Sequence, residues 1–286
     1  MRFLYFNLKI HVWGGLGSQL YAWALFEDLR VRFPRRRIVL VMHNSGVTKR
    51  DQELSNFFDS GEISVIGDYK PKTQNENGGP SRFRVECLVV LKKFLHILGL
   101  IASANSDNEC SKIRPWVLSL RGHYTKRLIS NTSIQKILDS LESTPIAVGG
   151  HSDGPIIGLH FRLGDLLALD SKTPLAVSRI TRGLNLGNLL EEFSVCLVFS
   201  DSPKEAESLL RVSFPLVQFV YRQASPQTTI LELLQVHTFV GTPSKISEWV
   251  ALIRIHTSSS PNVFLPSEMK RQMGTTLGND SKIIYY

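Results

Sequence analysis

The sequence predicts an α/β protein with two Rossmann-like lobes, each built on a sheet of parallel strands. Three observations lead to this fold class. Short apolar runs alternate with amphipathic segments, which is the pattern of successive βαβ units. A glycine turn at Gly14, Gly15 and Gly17 links the first apolar run to the first amphipathic segment. The length of 286 residues suits two lobes of about 130–150 residues each.

The first lobe is predicted over residues 1–149. Its first helix is expected to end before Pro34, because proline cannot continue a helix. The polar, glycine-rich stretch 70–81 is predicted to be a loop. The predicted strands are Lys9–Trp13, Ile38–Met42 and Ile63–Ile66, and the predicted helices are Ser18–Arg32, Arg84–Ala102, Trp116–Leu128 and Ser133–Leu141.

The second lobe is predicted over residues 150–286, after a linker of small and polar residues near Val148–Pro155. Ligands of open α/β sheets bind at the carboxyl ends of the strands, so the residues that follow each strand are the first candidates for a site. The predicted strands are Ile156–Phe161, Val195–Ser200, Val217–Tyr221 and Thr238–Val240, and the predicted helices are Pro203–Val212, Thr228–Gln235 and Ser244–His256.

Composition and charge narrow the functional classes. Three cysteines without a CxxC pair argue against a disulfide framework and against a structural zinc site. A net charge of +8 and a pI near 9.5 admit nucleic acid, an anionic membrane surface or an anionic small substrate as partner. The basic residues are scattered and accompany no nucleic-acid-binding motif, so we expect no nucleic acid partner.

The longest apolar stretch, Cys87–Ala102, is interrupted by Lys92, Lys93 and His96. It is too short and too charged to span a bilayer. A buried helix and a basic amphipathic helix on a membrane surface both fit it. The first residues fit a strand better than a secretory signal. We therefore expect a cytoplasmic protein, with peripheral contact to the cytoplasmic face of a membrane left open.

The first candidate site is the turn Gly14-Gly15-Leu16-Gly17, which runs from a strand directly into a helix. Glycines let a backbone approach a ligand closely, and a helix N-terminus offers free N–H groups and a partial positive charge. These properties suit a pyrophosphate. The turn matches neither GxGxxG nor a Walker loop, and a plain strand-to-helix turn capped by Ser18 explains it equally well.

The second candidate site follows the first strand of the second lobe, at His160, Arg162 and Asp165. His160 and Arg162 are two residues apart, so they lie on the same side of the strand. The guanidinium fork of an arginine donates two parallel hydrogen bonds to a diphosphate and neutralises its charge. Asp165 fits a general base, a partner of Arg162 or a loop residue, and an ordinary Arg–Asp ion pair is the structural alternative.

The third candidate site combines two later strand ends. Asp201 follows a strand and is suited to accept hydrogen bonds from a guanine edge. Ser202 and Glu205 are explained as a helix capping box. Further on, Ser244 and Ser247 lie at a helix start, where hydroxyl and N–H groups bind phosphate. A serine N-cap, with Trp249 in the core, is the structural alternative there.

Taken in order, these segments resemble the α-1,2-fucosyltransferase family (glycosyltransferase family 11) and related GDP-fucose-dependent fucosyltransferases. The family elements GGLGNQ, HxRRGD and FSDD have counterparts that begin at Gly14, His160 and Phe199. The late element SxFSWWxA has a counterpart at Ser244–Ala251. The resemblance extends over residues 11–253 and rests on the order and spacing of the motifs.

The resemblance implies a GT-B fold, GDP-β-L-fucose as donor, inversion at the anomeric carbon, and no required metal or other cofactor. It implies that Arg162 binds the β-phosphate of the donor and that His160 helps to hold the nucleotide. We expect Asp165 to be the catalytic base, with His160 as the alternative. The remaining implied donor-site residues are Asp201 at the guanine, Ser244 and Ser247 at the phosphates, and Gly14, Gly15, Gly17 and Gln19 in the facing wall of the cleft.

The chain departs from the family motifs at Ser18, Leu163, Ser202, Pro243 and Glu248. Leu163 replaces the second arginine of HxRRGD, and Ser202 replaces the second aspartate of FSDD. Both changes suggest a non-catalytic glycan- or nucleotide-binding relative as an alternative function. A basic nucleic-acid-binding α/β protein is a further alternative, suggested by charge alone. The expected acceptor is a glycan, either a surface polysaccharide or a lipid-linked oligosaccharide, and an α-1,2 linkage is the expected product.

Overall fold

The structure is a computed structural model that describes residues 7–43, 53–54, 63–66, 90–91, 93–143, 156–163, 179–180, 182–183, 195–215, 217–278 and 281–286. The chain packs into two compact units, Met1–Ser130 and Asn131–Tyr286. The predicted boundary at 149/150, the predicted loop 70–81 and residues 84–89 of a predicted helix lie outside the described residues.

The first unit contains a sheet of parallel strands. Its described elements are β1 (Leu8–Trp13), α1 (Leu16–Arg32), β2 (Ile38–His43), β3 (Ile63–Ile66), β4 (Ile101–Ser103), α2 (Asp107–Ser111) and β5 (Ser119–Arg121). Among these residues the strand order is β3-β2-β1-β5-β4, and every pairing is parallel. β1 and β2 are in register from Leu8–Ile38 to Trp13–His43.

The two faces of β1 differ in burial. Leu8, Ile10 and Val12 are buried on the face that α1 covers, whereas the alternate residues His11 and Trp13 are partly exposed on the other face. This alternation follows from the two-residue period of a strand. His11 and Trp13 therefore reach the carboxyl end of the strand on the less covered face.

Three predictions for the first unit are wrong. α1 begins at Leu16 with Gly15 as its N-cap, so Ser18 lies within the first turn and does not cap the helix. Residues 116–128 contain β5 rather than a helix. The predicted helix Arg84–Ala102 is helical at residues 90–91 and 93–97, but it ends before β4 rather than at Ala102. A strand of three residues carries too little apolar alternation to be recognised from sequence. β5 forms because it pairs with β1 and with β4.

The second unit contains another parallel sheet. Its described elements are α3 (Asn131–Ser143), β6 (Ile156–His160), β7 (Val195–Phe199), α4 (Pro203–Ser213), β8 (Gln218–Arg222), α5 (Pro226–Gln235), β9 (Thr238–Gly241), α6 (Lys245–Thr257), β10 (Val263–Leu265), a 3-10 turn (Ser267–Met269), α7 (Lys270–Leu277) and β11 (Ile283–Tyr285). The strand order in this part of the chain is β11-β10-β9-β6-β7-β8, with parallel pairings throughout. The predicted fold class, two Rossmann-like lobes of parallel strands, is confirmed.

β6 is a buried inner strand of the second sheet. All of its residues are buried, and β7 and β9 pair with it on either side. At Gly158 a Cβ atom would lie 2.6 Å from Cδ2 of Leu233 on α5, so the strand passes the helix with no room for a side chain. β6 thus gives His160, at its carboxyl end, a rigid support.

Arg254 of α6 ties the end of α5 to the start of β9. Its guanidinium donates to the carbonyl oxygens of Leu233, Val236 and His237 at 3.1, 2.7 and 2.8 Å. A cation at these carbonyl groups satisfies the acceptors that a helix end leaves open. Burial lowers the pKa of Arg254 to about 10, so the side chain stays charged at neutral pH.

α3 packs with the second unit. It contacts α5 and α6, and Gln227 Nε2 donates to the carbonyl oxygen of Leu141 at 3.1 Å. Residues 131–143, which the sequence analysis assigned to the first lobe, therefore bury their apolar face in the second unit. That face consists of Ile134, Ile137, Leu138 and Leu141. Within the described part of the chain no helix has the length and apolar character needed to cross a membrane.

Candidate active site

The carboxyl ends of four neighbouring strands meet at one edge of the second sheet. In the order β9, β6, β7 and β8, these strands lead to Thr242, Arg162, Asp201 and Arg222. This edge is where parallel α/β sheets bind ligands. Five predicted site residues lie along it: His160, Arg162, Asp201, Ser244 and Ser247.

His160 is bonded to two serines at the start of α6. Its Nδ1 lies 2.8 Å from Oγ of Ser247 and 3.2 Å from Oγ of Ser244. Ser244 is also the N-cap of α6, because its Oγ accepts the Ser247 N–H at 3.0 Å, and the two hydroxyls lie 3.2 Å apart. The end of β6 and the N-terminus of α6 are thereby joined through side chains.

The imidazole of His160 is neutral at physiological pH. Burial lowers its pKa to about 4; the charge of Asp201 raises this pKa in part, and the charge of Arg162 lowers it. When the Ser247 hydroxyl donates to Nδ1, the single proton of the neutral ring is on Nε2. His160 can then donate a hydrogen bond from Nε2 without carrying a charge.

Thr242 is a site residue that the sequence analysis missed. Its hydroxyl donates to the carbonyl oxygen of His160 at 2.9 Å and accepts the N–H of Arg162 at 3.1 Å. Its own N–H donates to the same His160 carbonyl at 3.1 Å. Thr242 therefore fixes the backbone from which Arg162 projects. The only sequence signal was its position directly after Gly241, in the turn between β9 and α6.

Asp201 connects the loops that follow β7 and β6. Its Oδ1 accepts the N–H of Leu163 at 2.9 Å. Arg162, the residue before Leu163, is half-buried. The charges of both Asp201 and Arg162 act on the His160 ring. The Leu163 side chain is fully buried in the core of the unit. The position that the family motif fills with a second arginine is thus a core position in this chain.

The structural alternatives for several residues of the motifs are resolved. Trp249 is fully buried and belongs to the core. Ser202 is the N-cap of α4 with Pro203 in the first turn, as predicted, but its side chain makes no cap hydrogen bond, so the predicted capping box with Glu205 is wrong. Instead the Ser202 N–H donates to Oγ of Ser200 at 3.1 Å.

The glycine turn of the first unit has a backbone that requires glycine at Gly14. Gly14 has φ = +91°, and a Cβ atom there would lie 3.0 Å from Oγ of Ser18. Gln19 is buried and braces the turn: its Nε2 donates to the Gly14 carbonyl at 2.9 Å, and its Oε1 accepts the N–H groups of Glu53 and Leu54 at 3.1 and 3.0 Å.

Gly15 and Gly17 complete the glycine turn: Gly15 is the N-cap of α1 and Gly17 is buried in its first turn. The predicted base Asp165 and its neighbour Gly164 lie outside the described residues. Within the described ranges no group of three or more His, Cys, Asp or Glu side chains is arranged to hold a metal ion.

Arg222 is a second cation at the edge that sequence reasoning did not identify. It ends β8 and pairs with Phe199 of β7, and its carbonyl accepts the Ser200 N–H at 3.4 Å. Its Nε is buried and has no hydrogen-bond partner among the described residues. The sequence did not identify Arg222 as a site residue, because an arginine at the end of a strand is common on protein surfaces.

Fold and site together define a two-lobed α/β protein whose second lobe has a polar edge with two arginines. No protein-family model matches the sequence. No curated protein matches it either.

Several solved structures share a similar chain trace at low identity. One is the glycosyl transferase family 9 protein of Veillonella parvula, with 11% identity over 100% of this chain and 88% of that chain, and a TM-score of 0.48. Another is an Arabidopsis thaliana FUT1 mutant in complex with GDP, with 14% identity over 86% of this chain and 68% of that chain, and a TM-score of 0.45. A third is the E. coli heptosyltransferase WaaC with ADP, with 12% identity over 98% and 92% of the two chains, and a TM-score of 0.46. At these scores the function proposed below rests on the site residues.

Proposed function

We propose that the chain is a glycosyltransferase that moves L-fucose from GDP-β-L-fucose to a hydroxyl group of a glycan. The transfer inverts the anomeric carbon and uses no metal ion, and the first expectation for the product is an α-1,2 linkage. The donor binds at the carboxyl edge of the second sheet. The motif resemblance supports GDP-fucose as donor, and the geometry of this edge supports the binding of a diphosphate.

The observation that carries the proposal is the arrangement of Arg162, His160 and the N-terminus of α6 around one strand end. Arg162 supplies a permanent charge, His160 supplies a neutral N–H donor, and a helix N-terminus carries partial positive charge. A departing nucleoside diphosphate needs this combination when no metal ion neutralises its charge. Ordinary capping of α6 explains Ser244 but does not require a buried histidine bonded to it.

The two serines have different roles in this proposal. Ser247 is fully buried and bonded to His160, so it acts as a positioning residue for the imidazole. Ser244 caps α6 and orients the helix terminus toward the phosphates. Asp201 holds the loop after β6 through the Leu163 N–H and is the proposed partner of the guanine edge.

Chemically, the acceptor oxygen attacks C1 of fucose while the bond between C1 and the β-phosphate oxygen breaks. The electron pair of the broken bond leaves with GDP, and the proton of the acceptor hydroxyl passes to the base. We assign the base to Asp165. His160 does not serve as base when its Nδ1 accepts a hydrogen bond from the Ser247 hydroxyl, because Nε2 then already carries the ring proton.

The direct test is release of GDP from GDP-fucose, measured with and without a panel of glycan acceptors. GDP-mannose and UDP-glucose serve as donor controls. We expect turnover with GDP-fucose and a loss of at least about 100-fold in Arg162→Ala, because a charged hydrogen-bonding partner of the leaving group is removed. Arg211→Ala is the matched control, since Arg211 is an exposed arginine of α4 in the same unit.

The competing function is that of a nucleotide-binding relative without activity, which the burial of Leu163 favours. If the protein binds GDP-fucose but releases no GDP with any of the acceptors, it is a nucleotide-binding relative without activity. Asp165→Asn separates binding from chemistry: we expect unchanged GDP affinity and slowed transfer. Transfer at the normal rate in Asp165→Asn would remove Asp165 from the role of base.

A further inference from the structure

A cluster of rings lies at the carboxyl edge of the first sheet, directly before the glycine turn that begins at Gly14. The Trp13 and His43 rings are stacked with their centroids 4.4 Å apart and their planes 6° apart. His11 Nδ1 lies 2.7 Å from His43 Nε2, and these two rings are inclined by 22°. We define Trp13, His43 and His11 as the ring cluster.

The sheet topology explains why the ring cluster forms. β1 and β2 pair in parallel with Trp13 opposite His43, so both side chains leave the ends of their strands on the same face. β5 pairs with β1 on the other side, with Leu120 opposite Ile10, and Arg121 is the next residue. The ends of three adjacent strands therefore bring two histidines, one tryptophan and one arginine into a row.

The charge around the ring cluster is positive. Burial lowers the pKa of His11 to about 4, and the charges of His43, Arg121 and Lys9 lower it as well. The Nε of Arg121 is buried and has no hydrogen-bond partner among the described residues. A buried donor without an acceptor is costly, so the site favours a ligand that brings an anionic oxygen.

The ring of Trp13 is accessible to a ligand. Its side chain is 36% exposed, whereas most large side chains of β1 are buried. A flat aromatic surface with polar groups at its rim suits the apolar face of a pyranose ring. Tyr124 holds the base of the cluster, because its hydroxyl donates to the carbonyl oxygen of His11 at 2.6 Å.

We propose that the ring cluster and Arg121 form a binding site for a sugar that carries an anionic group, a carboxylate or a phosphate. The sugar ring stacks on Trp13, and the anionic group pairs with Arg121. If the chain is the transferase proposed above, this site selects the acceptor, which is then an acidic glycan or a sugar phosphate. The assignment as acceptor site rests on the proposed function, but sugar binding at this place does not.

The test is a titration of the full chain followed by NMR of the indole N–H signals of its four tryptophans. Trp13→Phe identifies the Trp13 signal. The probes are methyl glucuronide, glucose 6-phosphate, neutral methyl glucoside and inorganic phosphate. We expect at least one acidic sugar to shift the Trp13 signal at a concentration about tenfold lower than the neutral glucoside requires, as one charge-assisted contact predicts. The better acidic probe then identifies carboxylate or phosphate as the preferred group.

Variants of Arg121 test the charged half of the site. Arg121→Gln should lose the preference for acidic sugars, and Arg121→Lys should keep most of it. Arg114→Gln and Trp116→Phe are the matched controls, because both residues are exposed and lie before β5, whereas Arg121 is the last residue of β5. Circular dichroism of each variant checks that the fold is kept.

Three results would overturn the proposal: no shift of the Trp13 signal with any sugar, equal response to acidic and neutral sugars, or an unchanged preference in Arg121→Gln. If inorganic phosphate shifts the Trp13 signal as strongly as the acidic sugars do, the site binds an anion and the proposal of a sugar site is wrong. Calorimetry with GDP on the same samples separates this question from the proposed function. If the wild-type protein binds the acidic sugar but not GDP, the proposed transferase function is contradicted and the proposed sugar site is retained.

Discussion

At the end of β6, burial removes the imidazole of His160 from water and two serine hydroxyls surround its Nδ1. The unfolded chain exposes this ring, which then has its ordinary pKa of 6.5 rather than the lowered value of about 4. Between these two pH values the unfolded chain binds a proton that the folded chain does not. Stability therefore rises with pH through this window and falls as the pH drops from 6.5 toward 4. His11 acts with the same sign in the first unit.

The first prediction is that His160→Gln reduces the acid sensitivity of the second unit. Urea unfolding at pH 7 and at pH 4.5 gives the free energy of unfolding at each pH. We expect the loss between them to be smaller in His160→Gln by roughly 2–3 kcal/mol, the value for one proton over two pH units. His237→Gln, at an exposed histidine of the same unit, is the control substitution. Equal losses in wild type and His160→Gln would contradict the account.

Individual residues were predictable from sequence where a motif fixed their position. His160, Ser244 and Ser247 were predicted at strand and helix ends, and the structure joins them by hydrogen bonds. Thr242 and Arg222 were not predicted, because their importance depends on which strand ends are neighbours, and that is a property of the sheet. The failure at Ser18 has a similar cause: the helix begins two residues earlier than its side chain suggested.

At the scale of elements, α5 and α6 begin in the same way but in different surroundings. Ser225 caps α5 and Ser244 caps α6, each by accepting the N–H of the residue three positions later. The N-terminus of α5 is exposed, whereas Ser244 is buried beside His160. Comparing Ser225 with Ser244 therefore separates the contribution of a serine cap to stability from the contribution of Ser244 to ligand binding.

The second prediction uses this pair. Ser225→Ala and Ser244→Ala should each lower the free energy of unfolding by about 1 kcal/mol, the usual value of a serine cap. Only Ser244→Ala should also weaken GDP binding, because it removes a partner of His160 and disturbs the start of α6. Urea unfolding and calorimetry with GDP measure the two effects. Weakened GDP binding in Ser225→Ala, or unchanged GDP binding in Ser244→Ala, would contradict the proposal that the N-terminus of α6 is part of the GDP site.

The elements of the second unit were predicted to within two residues between 156 and 257. In the first unit the helix predicted over 116–128 was wrong, and the helix predicted to reach Ala102 ends before β4. Central parallel strands such as β6 are continuous apolar runs bounded by turns, and such runs are recognisable. β4 and β5 have three residues each and exist because neighbouring strands supply their hydrogen bonds. The local sequence of a strand does not show which other strands will pair with it.

For the whole molecule, the division into units determines which part of the chain must be present for the second sheet to be stable. Ile134, Ile137 and Leu141 of α3 are buried, and α3 packs on α5 and α6. A fragment that begins at the predicted boundary, residue 150, lacks this helix. Each buried aliphatic side chain contributes about 1.5–3 kcal/mol before entropy is counted.

The third prediction is that residues 131–286 fold as an isolated fragment and residues 150–286 do not, or do so with several kcal/mol less stability. Thermal unfolding by circular dichroism compares the two. The longer fragment should also bind GDP, since His160, Arg162, Asp201 and Ser244 all lie within it. Equal unfolding temperatures of the two fragments would show that α3 adds nothing to the second unit.

We propose that the edge around Arg162 and His160 holds a GDP-sugar. Calorimetric titration of the full chain with GDP-fucose, GDP-mannose and UDP-glucose tests it most directly, with Arg162→Ala, Arg162→Lys and the exposed control Arg211→Ala alongside. We expect GDP-fucose to bind about tenfold or more tightly than UDP-glucose. Arg162→Ala should lose this binding, and Arg162→Lys should keep part of it. Binding of none of the three donors, or full GDP-fucose affinity in Arg162→Ala, would contradict the proposal.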